Sequence, residues 1–427
     1  MSRVTSFPKF SWTECGMNGT FWRARSCSHR RDGVLVMPEI VKFEMPRVET
    51  VVQGAGAVRE IGTELDRRGL RRVFLITGRS VGSGDAFAQL TADLGDRVVG
   101  TFKQIQAHNP VEGIVELIKA AREADADVFV AVGGGSPVDA AKLAAIGLAE
   151  GSASVEDLAR NYLVFEYPNT IRQRPLTGKP MPVFAVPTTL SAAEWDGFAG
   201  SVDHARDTKD LTVYLEATPQ VVFLDPEFCA HTPRELWATT GVRALDHAVE
   251  TAYAKNAHPF TTALANGALT LLAENLPKSV QDPHDYEAAL KCQEAAWMSI
   301  IGVHNVSLGL SHAIGHQLGA VGIPHGVTSC IMLPHVMRFL EPATSAEQAR
   351  MAESLARVQG DGESVPAADR LERLLDELKV PRRVSDFGVG RDKMEGVARA
   401  ALGDIVVRES PRPVDESVIF ALLEKVW

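Results

Sequence analysis

Cysteine is scarce in this chain, and long apolar runs are missing. The 427 residues contain five cysteines, an odd number without regular spacing. This pattern predicts no disulfide framework and favours a reducing compartment. No apolar run approaches the roughly 18 residues that a membrane-spanning helix needs. We therefore expect a cytoplasmic protein without a membrane partner.

A net positive charge is missing as well. The formal net charge is −10 at pH 7, with 45% hydrophobic and 23% charged residues. A negative surface does not favour nucleic acid or anionic membranes as partners, and the composition is typical of a globular protein. The chain is longer than one usual hydrophobic core requires, which indicates two domains. We therefore expect neither nucleic acid nor a membrane as a partner.

The first 36 residues differ from the remainder in composition. They hold six basic and two acidic side chains, a net charge of about +4, without the apolar segment that a signal peptide requires. They fit a loose tail, or a start assigned too early with Met37 as the true beginning; a transit-like segment is the alternative. We treat residues 1–47 as a loosely ordered extension.

Short β-branched runs alternate with helical patterns from about residue 48 to residue 225. The predicted strands cover residues 73–77, 128–132, 183–186 and 221–224, and the clearest helices cover residues 58–68 and 113–123. This alternation predicts a parallel sheet with helices on both faces.

Strand patterns nearly vanish after about Pro233. Helices are predicted over residues 236–254, 260–276 and 285–310. The fold class is therefore α/β plus all-α, with an N-terminal parallel-sheet domain at residues 48–233 and a C-terminal helical domain at residues 234–427.

A glycine-rich turn follows the predicted strand at residues 128–132. It consists of Gly133, Gly134, Gly135 and Ser136. Consecutive glycines allow a bulky group to approach the backbone, and we expect Ser136 to cap the helix that follows. Free amides at a helix N-terminus suit a pyrophosphate. The turn is not the GxGxxG fingerprint, and a tight connection without a ligand is the alternative interpretation.

Three histidines stand in an apolar segment at residues 309–326. His312 and His316 are four residues apart and share one face of a helix, and His325 follows a Gly/Pro break that can turn the chain back. Neighbouring imidazoles in an apolar pocket are costly unless they bind a metal, a substrate or each other. A chance cluster of core histidines is the alternative.

Together these motifs resemble the iron-containing alcohol dehydrogenase superfamily. The stretches 132–142, 187–189, 225–227 and 241–250 and the histidine segment occur in the order seen there. The resemblance covers residues 48–427 and is strongest to the maleylacetate reductase-like branch. It implies a Rossmann-like domain followed by a helical domain, as in dehydroquinate synthase-like folds. NAD(H) or NADP(H) would bind between them and exchange hydride with a carbonyl or alcohol carbon, and we expect a homodimer.

The resemblance also implies cofactor contacts. They fall on Gly78, Gly133, Gly134, Gly135, Ser136, Asp139, Lys142, Thr188, Thr189, Leu190 and Lys209. NAD-preferring members carry an Asp after the second strand, where this chain has Gly78 and Arg79. No carboxylate would repel a 2′-phosphate there, so the choice between NAD(H) and NADP(H) stays open.

The sequence departs from the family at the metal site. Metal-dependent members use an Asp, a His four residues later and two further histidines. His247, His312 and His325 match the histidines, but Arg243 occupies the Asp position. A guanidinium repels a divalent cation and offers no ligand atom. We therefore expect no obligatory Fe or Zn, and a metal held by the three histidines is the alternative.

Arg243 also suggests a substrate class. A guanidinium binds a carboxylate through two hydrogen bonds. A pocket with Arg243, His247, His312, His316 and His325 therefore suits a keto-acid-type substrate, with His316 as a candidate proton donor. The alternative is that Arg243 only pairs with Asp246, three residues further along the helix.

Three other functions remain as alternatives. The first is a metal-dependent dehydrogenase of simple alcohols or aldehydes. The second is a lyase similar to dehydroquinate synthase, although the fuller Lys/Arg phosphate-binding set is missing. The third is a catalytically inactive nucleotide-binding sensor, which the loss of the metal-binding Asp would explain.

Overall fold

A computed structural model describes residues 41–166, 170–206, 208–362 and 364–427. The basic tail and the proposed start at Met37 lie outside these residues. Among the described residues, no helix is both long and apolar enough to cross a membrane.

The strands confirm the predicted parallel sheet. In chain order they are β1 Thr50–Gln53, β2 Val73–Gly78, β3 Val98–Ile105, β4 Val128–Gly133, β5 Val164–Glu166, β6 Thr170–Arg172, β7 Val183–Pro187, β8 Phe198–Asp203, β9 Thr208–Val213 and β10 Val221–Leu224. Six of them form one sheet in the order β1-β10-β7-β4-β2-β3, and every neighbouring pair is parallel. The pairs β5–β6 and β8–β9 are antiparallel.

Helices cover both faces of this sheet. They are α1 Ile61–Arg68, α2 Arg79–Gly82, α3 Asp85–Leu94, α4 Val111–Glu123, α5 Gly135–Ala149 and α6 Val155–Ala159. Successive side chains of β4 enter different cores: Phe129 and Ala131 join the large core with α4 and α5, and Val130 joins a smaller core with α1 and α3. A strand that is buried on both faces reads as a continuous apolar run, which explains its sequence.

The rest of the chain is helical, as predicted. The helices are α7 Pro226–Cys229, α8 Arg234–Tyr253, α9 Pro259–Gln281, α10 Tyr286–Ile300, α11 Leu310–Ala320, α12 His325–Gln359, α13 Ala367–Leu378, α14 Met394–Leu402 and α15 Glu416–Glu424. Helix α8 packs against α9, α10 and α12, so most of its surface is buried. Pro233 directly precedes α8, at the position where the sequence places the domain limit.

The predicted helix at residues 285–310 is too long. Helix α10 ends at Ile300, and α11 begins only at Leu310. A side chain at Gly302 would come within 2.1 Å of Thr261, so this glycine lets the connection pass close to α9. Within this connection, the Ser307 amide donates a hydrogen bond to the Asn256 side chain at 3.2 Å. These contacts with α9 and with the turn that precedes it replace the helical hydrogen bonds that the local pattern predicts.

Part of the expected loose extension is docked on the helical half. The Glu44 amide donates to Asn305 at 2.7 Å, and the Asn305 side chain donates back to the Glu44 carbonyl at 2.6 Å. Phe43 packs edge-on against Phe260, with ring centroids 5.8 Å apart. Reciprocal hydrogen bonds and an aromatic contact hold these residues in place, so the prediction of a loose segment is wrong for Phe43 and Glu44.

Gly326 sets the separation of α8 and α12. A Cβ there would lie 2.8 Å from the backbone carbon of Thr239. Gly326→Ala should therefore push the two helices apart and destabilise the fold by about 1–3 kcal/mol. We expect a lower melting temperature by circular dichroism. Gly396→Ala is the matched control, because a Cβ at that helical glycine meets nothing within 4 Å. Equal melting temperatures for both variants would contradict the close packing.

Candidate active site in the cleft beside α8, α11 and α12

The glycine turn ends in a helix N-terminus without a side-chain cap. Gly133 has a φ of 143°, a conformation that disfavours any residue with a side chain. The predicted N-cap at Ser136 is wrong: Gly134 occupies that position, and α5 begins at Gly135. No side chain in the described part of the protein caps the first amides of α5. This N-terminus can therefore receive an anion such as a pyrophosphate.

The loop after β7 lies directly against this turn. The Thr188 amide donates to the Gly133 carbonyl at 2.8 Å, and the Thr189 and Ser191 hydroxyls are 3.1 Å apart. The Leu190 amide donates to Thr240 of α8 at 3.2 Å, which ties the sheet to the helical half. The Leu190 side chain is fully buried in the large core. Leu190 can therefore line the cleft only through its backbone.

Lys142 has a structural role and does not face the cleft. Its buried ammonium donates to the Ala193 carbonyl, to Asp196 at 2.9 Å and to the Phe198 carbonyl at 2.7 Å. All three of its donors are used, so the geometry gives no support to the expected cofactor contact. Burial raises the pKa of the neighbouring Asp139 to about 6, although Lys142 opposes this. Asp139 accepts from the Gly200 amide at 3.3 Å.

The predicted histidines meet in one cluster. The His247 and His312 rings stack with centroids 5.0 Å apart. His316 lies edge-on to His312 at 6.3 Å and to His325 at 6.2 Å. The Gly/Pro break does return His325 to the face of α11, as the sequence predicts. Burial lowers the pKa of His247, His312 and His325 well below the usual value, which favours the neutral form of these three rings.

Lys209 belongs to this cluster too. It lies on β9, and its ammonium is 2.6 Å from Nε2 of His325. Burial, followed by the charge of Arg243, lowers the pKa of Lys209 to about 8. The sequence predicts that Lys209 contacts the cofactor. In the structure Lys209 also lies among the histidines.

Arg243 has one hydrogen-bond acceptor among the described residues. Its Nη1 donates to the Ser329 hydroxyl at 3.1 Å and is 4.0 Å from Asp246. Oδ2 of Asp246 accepts from the Ser311 and Ser329 hydroxyls at 2.8 and 2.6 Å, and its Oδ1 has no hydrogen-bond partner among the described residues. The alternative of a simple Arg243–Asp246 pair is therefore weak, because the guanidinium keeps most of its donors for another acceptor.

Glu250 orients His312 and was missed by the sequence analysis. Its carboxylate accepts from the Gly309 and Ser311 amides at 2.7 and 2.8 Å, and it contacts His312 Nδ1 at 2.7 Å. It therefore caps α11 from the neighbouring α8. Burial and Asp246 raise the pKa of Glu250 to about 8, while the amides hold it down. Its spacing of 62 residues from His312 gave no sequence signal.

Two further residues of the cluster were missed. His108 follows β3 and lies edge-on to His325 at 5.0 Å. Asp404 contacts His316 Nδ1 at 2.8 Å. Neither belongs to a local motif, so only the folded chain reveals them.

The histidines do not make a complete metal site. His247 Nδ1, His312 Nε2 and His325 Nδ1 are buried without hydrogen-bond partners, which a metal would satisfy. However, the only metal-type trio with atoms within 4.8 Å among the described residues is Asp246, Glu250 and His312. Asp246 Oδ2 accepts from two serine hydroxyls and the Glu250 oxygens accept from backbone amides, whereas Asp246 Oδ1 and His312 Nε2 are buried without a partner among the described residues. Arg243 adds a fixed positive charge beside them. The charge of Arg243 therefore disfavours a metal at this site, while the unpartnered imidazole nitrogens and Asp246 Oδ1 are atoms that a metal would satisfy.

The fold and the cleft define a class of protein. A parallel sheet with an open helix N-terminus, joined by the Leu190–Thr240 hydrogen bond to the helical half that carries the histidine cluster, is an arrangement that suits a nucleotide-dependent oxidoreductase. Comparison with known proteins is more specific. Residues 48–226 match the model of the iron-containing alcohol dehydrogenase family, and residues 237–427 match the C-terminal model of the Fe-containing alcohol dehydrogenase family.

Relatives align along nearly the whole chain. The NAD-dependent methanol dehydrogenase of Bacillus methanolicus is 32% identical over 87% of this chain and 96% of its own. The maleylacetate reductase of Sphingobium indicum is 30% identical over 88% and 94%. The crystal structure of maleylacetate reductase from Agrobacterium tumefaciens superposes with a TM-score of 0.74 at 26% identity, over 92% and 99%.

The chain therefore belongs to the iron-containing alcohol dehydrogenase family, in its maleylacetate reductase-like branch. It is an oxidoreductase of the alcohol dehydrogenase type. The family uses NAD(H) and iron or another divalent metal.

The glycine turn leads to a prediction about cofactor binding. A Cβ at Gly134 would lie 3.2 Å from the Thr189 side chain, so Gly134→Val should fill the approach to the α5 N-terminus. We expect NAD(P)H affinity to fall at least about tenfold, or roughly 1.4 kcal/mol, in fluorescence titrations. Gly113→Val is the control, because nothing lies within 4 Å of its Cβ position. Unchanged affinity in a folded Gly134→Val variant would contradict a pyrophosphate site here.

Proposed function

We propose that this enzyme transfers hydride between NAD(P)H and the carbonyl carbon of a keto-acid-type substrate, without a resident metal. The observation that carries the proposal is Arg243, a nearly buried guanidinium at the position of the family's metal-binding Asp. Among the residues that the structure describes, it makes one hydrogen bond, to Ser329, and it lies beside the histidine cluster.

The free-energy cost of burying the Arg243 charge favours a substrate that carries a carboxylate. Burial lowers the pKa of Arg243, although Asp246 and Glu250 oppose this effect, so the charge is costly until an anion reaches it. A carboxylate would accept two parallel hydrogen bonds from the fork. The ammonium of Lys209 adds a second positive charge on the same side of the cleft. A neutral alkanol would satisfy neither cation.

The cofactor and the residues of the site have separate roles in this proposal. NAD(P)H supplies the hydride when it is bound at the α5 N-terminus. Arg243 and Lys209 would hold the acidic group of the substrate and favour negative charge as it develops on the carbonyl oxygen. The stacked neutral rings of His247 and His312 would limit water access beside the reacting carbon. His316 retains the role of proton donor.

A metal-dependent dehydrogenase of simple alcohols is the second candidate. The unpartnered nitrogens of His247, His312 and His325 favour it, because an imidazole buried without a partner is a costly arrangement. The charge of Arg243 opposes it.

Variants of Arg243 test the substrate class. Arg243→Lys keeps the charge but loses the fork, so KM for an acidic ketone should rise about tenfold, or ~1.4 kcal/mol. Arg243→Ala should lower kcat/KM by on the order of 2–5 kcal/mol. The measurement is NAD(P)H absorbance with matched acidic and neutral ketones. Arg350→Lys, an exposed residue paired with Glu347, is the control. Equal effects on both ketones would contradict carboxylate recognition.

Chelation tests the absence of a metal. We expect metal analysis of the purified enzyme to give far less than one iron or zinc per chain, and activity to survive exhaustive chelation. Arg243→Asp should create metal affinity, because it restores the fourth ligand beside three imidazoles. Stoichiometric metal in the unmodified enzyme, with activity lost on its removal, would establish the second candidate instead.

A further inference from the structure

His316 differs from the other histidines of the cluster in its surroundings. His247 and His312 are buried and His325 is partly buried, and His325 lies against the Lys209 ammonium and not a carboxylate. The His316 side chain is 32% exposed and contacts a carboxylate, that of Asp404. It is therefore the ring of the four that combines access to water with an anionic partner.

The Asp404 carboxylate is held rigidly. One oxygen accepts from the Val406 amide at 3.1 Å and so caps the 3-10 helix at Ile405–Glu409. The other oxygen lies 2.8 Å from His316 Nδ1. The side chain is only 10% exposed. A carboxylate with both oxygens engaged cannot rotate away, so it fixes the orientation of the ring it contacts.

The charges around Asp404 keep it ionised. Burial alone would raise its pKa, but His316, the Val406 amide and Lys209 outweigh burial and lower it. An ionised carboxylate can only accept, so His316 must donate its Nδ1–H. Nε2 is then the nitrogen that remains for a substrate.

We propose that Asp404 is a positioning residue that holds His316 as the Nδ1–H tautomer, and that Nε2 of His316 exchanges the proton with the carbonyl oxygen. The proton exchange in this proposal rests on the proposed function. The arrangement of carboxylate, imidazole and reacting oxygen is the one that orients a general acid–base histidine in many hydrolases. No local motif connects these two residues, which are 88 positions apart.

The proton transfer balances with the hydride transfer. In the direction of reduction, hydride reaches the carbonyl carbon and the π electrons of the C=O bond move to oxygen. The imidazolium of His316 gives its Nε2 proton to that oxygen, so the product is an alcohol. The ring is left neutral with Nδ1–H on Asp404, and water then returns a proton to Nε2. In the direction of oxidation, the neutral ring accepts the hydroxyl proton.

Asp404→Asn keeps the shape of the side chain but removes its charge, so this variant tests the positioning role. An amide has one acceptor oxygen, whereas the carboxylate serves two donors. If this oxygen keeps the Val406 cap, the NH₂ group faces His316 Nδ1 and forces the Nε2–H tautomer. Asp415→Asn is the matched control, because Asp415 also caps a helix, by accepting from the Val418 amide at 2.9 Å, but contacts no histidine.

The first measurement needs no turnover. In ¹⁵N-histidine-labelled enzyme, two-bond ¹H–¹⁵N spectra distinguish the two tautomers, and His316→Gln assigns the signal. We expect Nδ1–H for His316 in the unmodified enzyme and in Asp415→Asn, and Nε2–H in Asp404→Asn. An Nε2–H tautomer in the unmodified enzyme, or no change in Asp404→Asn, overturns the positioning role.

The second measurement tests catalysis. With the best substrate of a carbonyl panel, Asp404→Asn should lower kcat by about 10²–10⁴-fold with KM nearly unchanged, the range of a lost general acid–base. His316→Gln should lose a similar factor, and the double variant little more, because the pair acts as one unit. Additive losses, or a loss confined to KM, overturn the proton-transfer role. If the unmodified enzyme reduces acidic and neutral ketones equally well while the tautomer result holds, the proposed substrate class fails and the positioning role stands.

Discussion

The capping of α11 by Glu250 is the interaction on which the cluster depends. Helix α8 carries Arg243 and His247, and α11 carries His312 and His316. The N-terminal amides of α11 are buried and need acceptors, and no residue of α11 supplies one. The Glu250 carboxylate accepts from these amides and contacts His312 in the same place. It therefore fixes the axial register of α11 against α8 and, with it, the relative heights of the His247, His312 and His316 rings.

The charge pattern of the cleft follows from this packing. Neutral imidazoles occupy the buried centre, and ionised groups stand around them: Arg243 and Lys209 as cations, and Asp404 as an anion. A fixed guanidinium is placed where the family has the carboxylate of a metal site. Under the proposed function, Arg243 takes over the electrostatic task of a metal by binding and polarising an acidic substrate, and the histidines are released for packing and proton transfer.

Lys142 and Lys209 show the limits of assigning residues by position in a family. Both were expected at the cofactor. Lys142 follows a glycine turn that is well suited to an anion, yet it points into the protein and binds Asp196 and two carbonyls. Lys209 is brought to His325 by the β8–β9 hairpin. Which way a long side chain extends depends on the acceptors that the fold places around it, and these come from distant parts of the chain.

The sequence by itself determined the parallel sheet, the helical second half, the glycine turn and the shared face of His312 and His316. Each of these depends on periodicity or backbone freedom within a few residues, which the local sequence records directly. Only the tertiary structure decided that α10 stops at Ile300, that Glu250 caps α11 and that Asp404 meets His316. These contacts join residues far apart in the chain, and their energies exist only after packing has removed water and placed donor against acceptor.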